Sequence, residues 1–270
     1  MRIVRILAAI VLIGAVAAAA AIYWGVYDVA ATDQHLAPTY WLLKAGMRRS
    51  IIERAKDIEE PTLSDDALVR RGVGLYREHC LRCHGAPGIA PEPFALGMTP
   101  VPENLLPAAK TWRAAEIFWA AKKGIKMTGM PAWEYRLSDE ELWAIVAFVK
   151  QLPALTPAQY RALKPLSSKA SAAADAPQPD PRRGTHAINQ YACVTCHVIP
   201  GIVGASQPVG PSLEKIASRS LIAGMLPNRF ENMVRWLQAP QKLKPGSAMP
   251  DLGLSERDAR DIAAYLETLN

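Results

Sequence analysis

All four cysteines of the chain stand in two pentapeptides, Cys80-Leu81-Arg82-Cys83-His84 and Cys193-Val194-Thr195-Cys196-His197. Two thiols one helical turn apart, followed at once by an imidazole, make the C-x-x-C-H signature of c-type haem attachment. The spacing suits the chemistry. The thiols can add to the two vinyl groups on one edge of a porphyrin, and the histidine on the same turn can reach the iron from the proximal side. A C-x-x-C pair alone also serves zinc half-sites, redox dithiols and disulfides. A four-thiolate zinc site would leave His84 and His197 without a role, and the alternation expected of a βαβ redox fold is not in the sequence.

The surroundings of the two motifs are alike. Each is preceded by a short helical stretch, with Gly72 and Tyr76 before Cys80 and with Gly184 and Ile188 before Cys193. Each is followed by an irregular, Pro/Gly-rich stretch, a Met-Pro dipeptide and a closing amphipathic helix. Ser138-Asp-Glu-Glu141 is a capping box that opens one closing helix, and Ser255-Glu-Arg-Asp258 is a weaker version at the other. His84 to His197 is 113 residues, Met130 to Met249 is 119 and Ser138 to Ser255 is 117, so one plan is written twice. Residues 153–182, rich in Pro, Ala and Ser with little periodicity, read as the linker between the copies, Ser167–Pro181 most clearly.

Hydrophobic residues make up 50% of the 270 and aromatics only 7%, an aliphatic, alanine-rich excess that suits helices. The net charge of +6 is spread thinly, as +2, −1, +1, +2 and +2 over residues 1–27, 28–64, 65–151, 152–182 and 183–270. No stretch is basic enough to suggest nucleic acid. Arg2 and Arg5 precede an uncharged run, Ile6 to Tyr27, that is 22 residues long. About 20 apolar residues cross a bilayer as a helix. The flanking arginines orient the N-terminus inward, and Tyr23, Trp24 and Tyr27 gather at the exit side, where amphipathic rings favour the interface. Residues 1–27 thus read as a transmembrane anchor; a cleaved signal peptide is the alternative, since Ala17–Ala21 offers an A-x-A site. Within the juxtamembrane segment 28–63, Pro38 to Ile58 has helical periodicity, as a helix lying on the membrane or packing on the first domain.

On these motifs both halves resemble class I c-type cytochromes, and the whole resembles the membrane-anchored di-haem cytochromes of proteobacterial respiratory chains. The expected fold is all-α: two tandem class I cytochrome c domains, 64–152 and 183–270, after an N-terminal transmembrane helix. The resemblance implies that the first and last helices of each domain cross at nearly a right angle, with Gly72 and Gly184 permitting close approach. Tyr76 would pack on Ile145 and Phe148, and Ile188 on Ile262 and Tyr265. It implies two covalently attached haem c groups, one on Cys80 and Cys83 and one on Cys193 and Cys196. His84 and His197 would be the proximal iron ligands, and Met130 and Met249 the distal ones; Met127 is the rival to Met130. Met98, Met225 and Met233 are expected in the core, and His79 and His186 at the surface or in local packing. Pro211 matches the family's proline in the region that receives the proximal histidine's second N–H. Pro100 and Pro102 are both eligible in the first copy, with Pro102 favoured. Trp133, Trp236 and Arg219 are candidates to line the haem or its propionates.

The function implied is electron transfer in a periplasmic respiratory chain, from the bacterial inner membrane with the N-terminus inside. The partners implied are a terminal oxidase, a quinol-oxidising complex or a dehydrogenase. Lys122, Lys123 and Lys126, with Lys242 and Lys244, could form a positive rim that steers acidic partners. The alternative is a di-haem enzyme, a peroxidase or a thiosulfate-oxidising cytochrome, which would need an exchangeable or unusual distal ligand. A Met-Pro in each half and the absence of a fifth cysteine speak against it.

Overall fold

The computed structural model describes residues 2–166, 178–204 and 209–270. It divides into two compact units, Met1–Ser168 and Lys169–Asn270. The first opens with α1, Arg2–Tyr23, whose residues are almost all exposed and which among the described residues is the one helix long and apolar enough to cross a membrane. The helix stops short of Trp24 and Tyr27, and the Tyr27 hydroxyl instead meets His35 Nδ1 at 2.9 Å. Next comes α2, Ala37–Ala55. Its C-terminal half packs on the unit through Ile51 and Ala55, and Arg48 donates to Glu116 at 2.7 Å with its guanidinium 4.4 Å over Trp112. Its first turns leave Trp41 and Leu42 exposed. Of the two expectations for this segment, packing accounts for the C-terminal half.

The globular part of unit 1 is α3 (Asp66–His79), α4 (Leu81–His84), α5 (Pro93–Leu96), α6 (Leu105–Thr111), α7 (Ala114–Lys123), α8 (Asp139–Gln151) and α9 (Pro157–Ala162). Unit 2 repeats the frame with α10 (Pro181–Gln190), α11 (Phe230–Gln238), α12 (Pro240–Leu243) and α13 (Glu256–Leu266). Among the described residues a two-residue hairpin, β1 Leu221–Ile222 with β2 Leu226–Pro227, and an isolated bridge between Ala86 and Ile89 are the β-structure beside the helices. The helix starts follow their signals. Asp65 caps α3 by accepting the Ala67 N–H, Asp180 caps α10 through the Arg182 N–H, and Ser138 and Glu141 form the capping box of α8. Ser255 accepts the Asp258 N–H to cap α13.

In each unit two helices pack together at a glycine, α3 with α8 in the first and α10 with α13 in the second. A Cβ on Gly72 would stand 1.9 Å from the Ala144 carbonyl oxygen, and one on Gly184 would stand 2.1 Å from that of Asp261. No side chain fits between backbones that close. Tyr76 then meets Phe148 edge-on at 5.1 Å in the first core, and Ile188 joins Ile262 in the second.

Asp261 adds a polar fastening to the second crossing. It is 2% exposed, and its carboxylate accepts from Arg183 Nε at 2.7 Å, Arg183 Nη2 at 2.8 Å and the Asp180 N–H at 2.8 Å. Removing one partner of a buried ion pair leaves the other charge uncompensated. Because Arg183 keeps some access to water, Asp261→Ala is expected to cost unit 2 about 3 kcal/mol, at the low end for such pairs. Denaturant titration of the variant checks this, and a loss below about 1 kcal/mol would mean that the pair is dispensable.

The stretch 153–182, expected as a linker, needs correction. Its first part belongs to unit 1, because α9 buries Tyr160 (1% exposed) in the first core, with Leu155 and Leu163 packed beside it. At the other end, α10 already begins at Pro181. Residues 167–177 lie outside the described residues.

Candidate functional site

The two C-x-x-C-H motifs fold into the same turn. In the first, Cys83 N–H and His84 N–H both donate to the Cys80 carbonyl, at 3.2 and 3.0 Å. In the second, Cys196 and His197 donate to the Cys193 carbonyl, again at 3.2 and 3.0 Å. All four thiols are free and partly covered. Burial pushes the Cys80 thiol up to about 12, with Cys83 adding to the effect, and burial also raises Cys193. At these two positions burial favours the neutral thiol. Among the described residues no three of His, Cys, Asp and Glu converge as a metal-ion cluster.

The imidazoles are oriented in the same way. His84 Nδ1 lies 2.7 Å from the Glu103 carbonyl, and His197 Nδ1 lies 2.8 Å from the Pro211 carbonyl. A carbonyl can only accept, so Nδ1 carries the hydrogen and the Nε2 lone pair is left for a metal. Burial also holds the His84 imidazole below its usual range, against the pull of the Glu103 carbonyl. The neutral form it favours is the one that ligates. In unit 1 the accepting carbonyl belongs to Glu103, the residue after Pro102, and not to Pro102 itself. Val101-Pro102-Glu103-Asn104-Leu105 lies in register with Val209-Gly210-Pro211-Ser212-Leu213. The Val and Leu frame marks the position, whereas the proline has shifted by one. In unit 2 the ring passes so close to the chain that a Cβ on Gly210 would stand 2.6 Å from His197 Cε1.

The methionine loops share a fastening that the sequence reading passed over. Met130 N–H donates to Thr128 Oγ1 at 3.1 Å, and Met249 N–H donates to Ser247 Oγ at 3.2 Å. The repeated signal is a hydroxyl residue two places before Met-Pro. The carbonyls are held as well, Met130 O by the Ile125 N–H at 3.2 Å and Met249 O by Gln241 Nε2 at 2.6 Å. Met130 and Met249 are both half-buried, while Met127 has a left-handed backbone (φ 60°) and is 85% exposed.

The remaining candidates fall in different places. Met233 and Trp236 are buried in the second core, Met98 is half-buried with its sulfur beside Gly129, and Met225 is exposed on the hairpin rather than in the core. His79 packs against Trp133 with centroids 4.9 Å apart. Arg219 is engaged locally, donating to the Ser212 and Glu214 carbonyls. Of the basic rim, Lys122 pairs with Asp139 at 2.6 Å and Lys123 with Glu134, so local carboxylates compensate these two charges.

Paired thiols, a tautomer-fixed imidazole and a methionine with a held backbone recur in each unit, a donor set that fits haem c. Comparison with known proteins agrees. The family "Cytochrome C oxidase, cbb3-type, subunit III" matches residues 67–149, and the family "Cytochrome c" matches residues 181–270. Both globular units are cytochrome c domains. Among curated proteins, the chain is similar to cytochrome c oxidase subunit 2 of Alkalihalophilus pseudofirmus, 35% identical over 88 residues, which is 32% of this chain and 25% of that one. It is similar also to cytochrome c oxidase subunit 2 of Bacillus sp. (strain PS3), 31% identical over 87 residues, 31% of this chain and 24% of that one. The chain thus spans about a quarter of the length of these relatives. No solved structure matches it. Cytochrome c domains carry covalent haem c and transfer electrons, and the exposed apolar α1 is consistent with a membrane anchor.

Proposed function

We propose that the chain is a membrane-anchored di-haem electron carrier or redox subunit of a respiratory chain, with both cytochrome c domains on the periplasmic side of the bacterial inner membrane. Haem c, when bound, supplies reversible one-electron chemistry at its iron. Cys80, Cys83, Cys193 and Cys196 hold it through thioethers, His84 and His197 present Nε2, and Met130 and Met249 present a soft sulfur that favours the ferrous state. The Glu103 and Pro211 carbonyls fix the two rings. The reading is carried by the second appearance of the same histidine-to-carbonyl bond and the same pinned Met-Pro loop in the second domain. Orientation rests on Arg2 and Arg5 at the start of α1. A place near a terminal oxidase is supported by the names of the matched family and relatives; a quinol-oxidising complex or a dehydrogenase would be its electron donor.

Two measurements on the full-length protein purified from membranes test this. Its mass should exceed that of the polypeptide by two haem groups. The reduced protein should leave carbon monoxide unbound at both haems. A mass increase of one haem or none would end the di-haem reading. Ready binding of carbon monoxide at one haem would favour a di-haem enzyme instead.

A further inference from the structure

The juxtamembrane segment reaches the proximal side of the first domain at two points. Thr99 Oγ1 donates to the Ala31 carbonyl at 2.5 Å. Lys44, on α2, donates to Glu103 Oε1 at 3.1 Å and is steadied by the Tyr40 hydroxyl at 3.3 Å. Residues 99 and 103 bracket a five-residue stretch whose last carbonyl accepts from His84 Nδ1. Glu103 is therefore held twice, by its side chain to α2 and by its backbone to the imidazole. Among the described residues the second domain has no such link, because proline stands at the matching position and offers no charged side chain to hold.

We propose that Lys44 is a positioning residue for His84: by holding Glu103, the membrane-proximal helix fixes the carbonyl that orients the imidazole of the first domain. The inference rests on the reading of His84 as the proximal ligand of a haem c. A carbonyl held in line with Nδ1–H makes the ring a more basic ligand, and the bond weakens steeply when the angle opens. A more basic imidazole favours ferric iron. Loosening the carbonyl therefore raises the reduction potential of the first domain and leaves that of the second unchanged. Lys44 and Glu103 are each more than half exposed, so the pair adds little to folding stability. Its effect is to be read in the potential and not in the melting temperature.

The test is a redox titration of the full-length protein in detergent, with Lys44→Met, Glu103→Gln, the double variant and Lys44→Arg. The first-domain step is identified as the one that Met130→Ala displaces. If the contact positions the carbonyl, both single variants raise that step. A threefold change in the reduced-to-oxidised ratio, about 30 mV at 59 mV per tenfold for one electron, is the expected size. The double variant should shift no further than either single one, and Lys44→Arg should restore the parent value. If the two charges act only through space, Lys44→Met lowers the potential, Glu103→Gln raises it and the effects add. That result, or an unmoved first step, would overturn the positioning role. Absence of haem from the first domain would instead overturn the reading on which it rests.

Discussion

Gly72→Ala is expected to lower the unfolding transition of the first cytochrome c domain by roughly 10–20 °C and to leave that of the second in place; Gly184→Ala should do the reverse. Alanine itself favours the helix, by about 1 kcal/mol over glycine. The added Cβ, however, meets backbone and not a yielding side chain. At Gly72 it would lie 1.9 Å from the Ala144 carbonyl oxygen and 3.0 Å from Phe148 Cβ, and at Gly184 2.1 Å from the Asp261 oxygen and 3.0 Å from Tyr265 Cβ. Real contacts of a Cβ with oxygen lie well beyond 3 Å, so α3 and α8, or α10 and α13, must move apart. Close-packed interfaces do not absorb such a shift locally. Overpacking costs of about 3 kcal/mol or more, set against the propensity gain, leave a net loss of about 2–3 kcal/mol. For domains of this size each kcal/mol is worth about 4–8 °C. Differential scanning calorimetry of the full-length holoprotein resolves which transition moves. Two unmoved transitions would show that the helices are not locked at these glycines.

The same crossing explains why so much of the fold was legible in the sequence. Gly72 and Gly184 stand at matching places before the two motifs, and the Ser138 and Ser255 caps fix the starts of α8 and α13. A pattern written twice in one chain is its own control, since coincidence would have to recur with the same spacing. What escaped was local and unrepeated. The Glu103 carbonyl leaves no mark in the sequence, because backbone accepts hydrogen bonds whatever the side chain, and the neighbouring proline stands one place away from its position in the second domain. Tyr160 was hidden in a Pro/Ala-rich stretch whose composition resembles a linker, although one aromatic over one short helix is enough to seal the first core. The neighbouring Lys–carboxylate pairs escaped for another reason: Lys122 and Asp139 are 17 residues apart, and only the fold brings them together. The Lys44–Glu103 contact is of the same kind, spanning 59 residues.

Met130→Ala and Met127→Ala should separate cleanly, although the two sulfurs are only three residues apart. Thr128 Oγ1 holds the Met130 N–H, the Ile125 N–H holds its carbonyl, and Pro131 stiffens the exit from the loop. Met127 stands on a left-handed backbone with its side chain in water. A thioether bond to iron is weak, so it depends on a loop that presents the sulfur without a further entropy cost, and of the two methionines it is Met130 whose backbone is held in this way. On the proposed di-haem reading, loss of the Met130 sulfur should remove the near-infrared band of iron–thioether bonding from one haem and open that haem to carbon monoxide. It should also lower that haem's potential by on the order of 0.1–0.2 V, a modest part of the ~0.8 V that axial ligation spans. Met127→Ala should leave band, ligand binding and potential unchanged. Thr128→Val should fall between them, keeping the sulfur but freeing its backbone, with partial loss of the band as the loop samples other positions. The outcome that would sink the assignment is a Met127→Ala protein that loses the band while Met130→Ala retains it, because the pinned loop would then be holding the wrong sulfur.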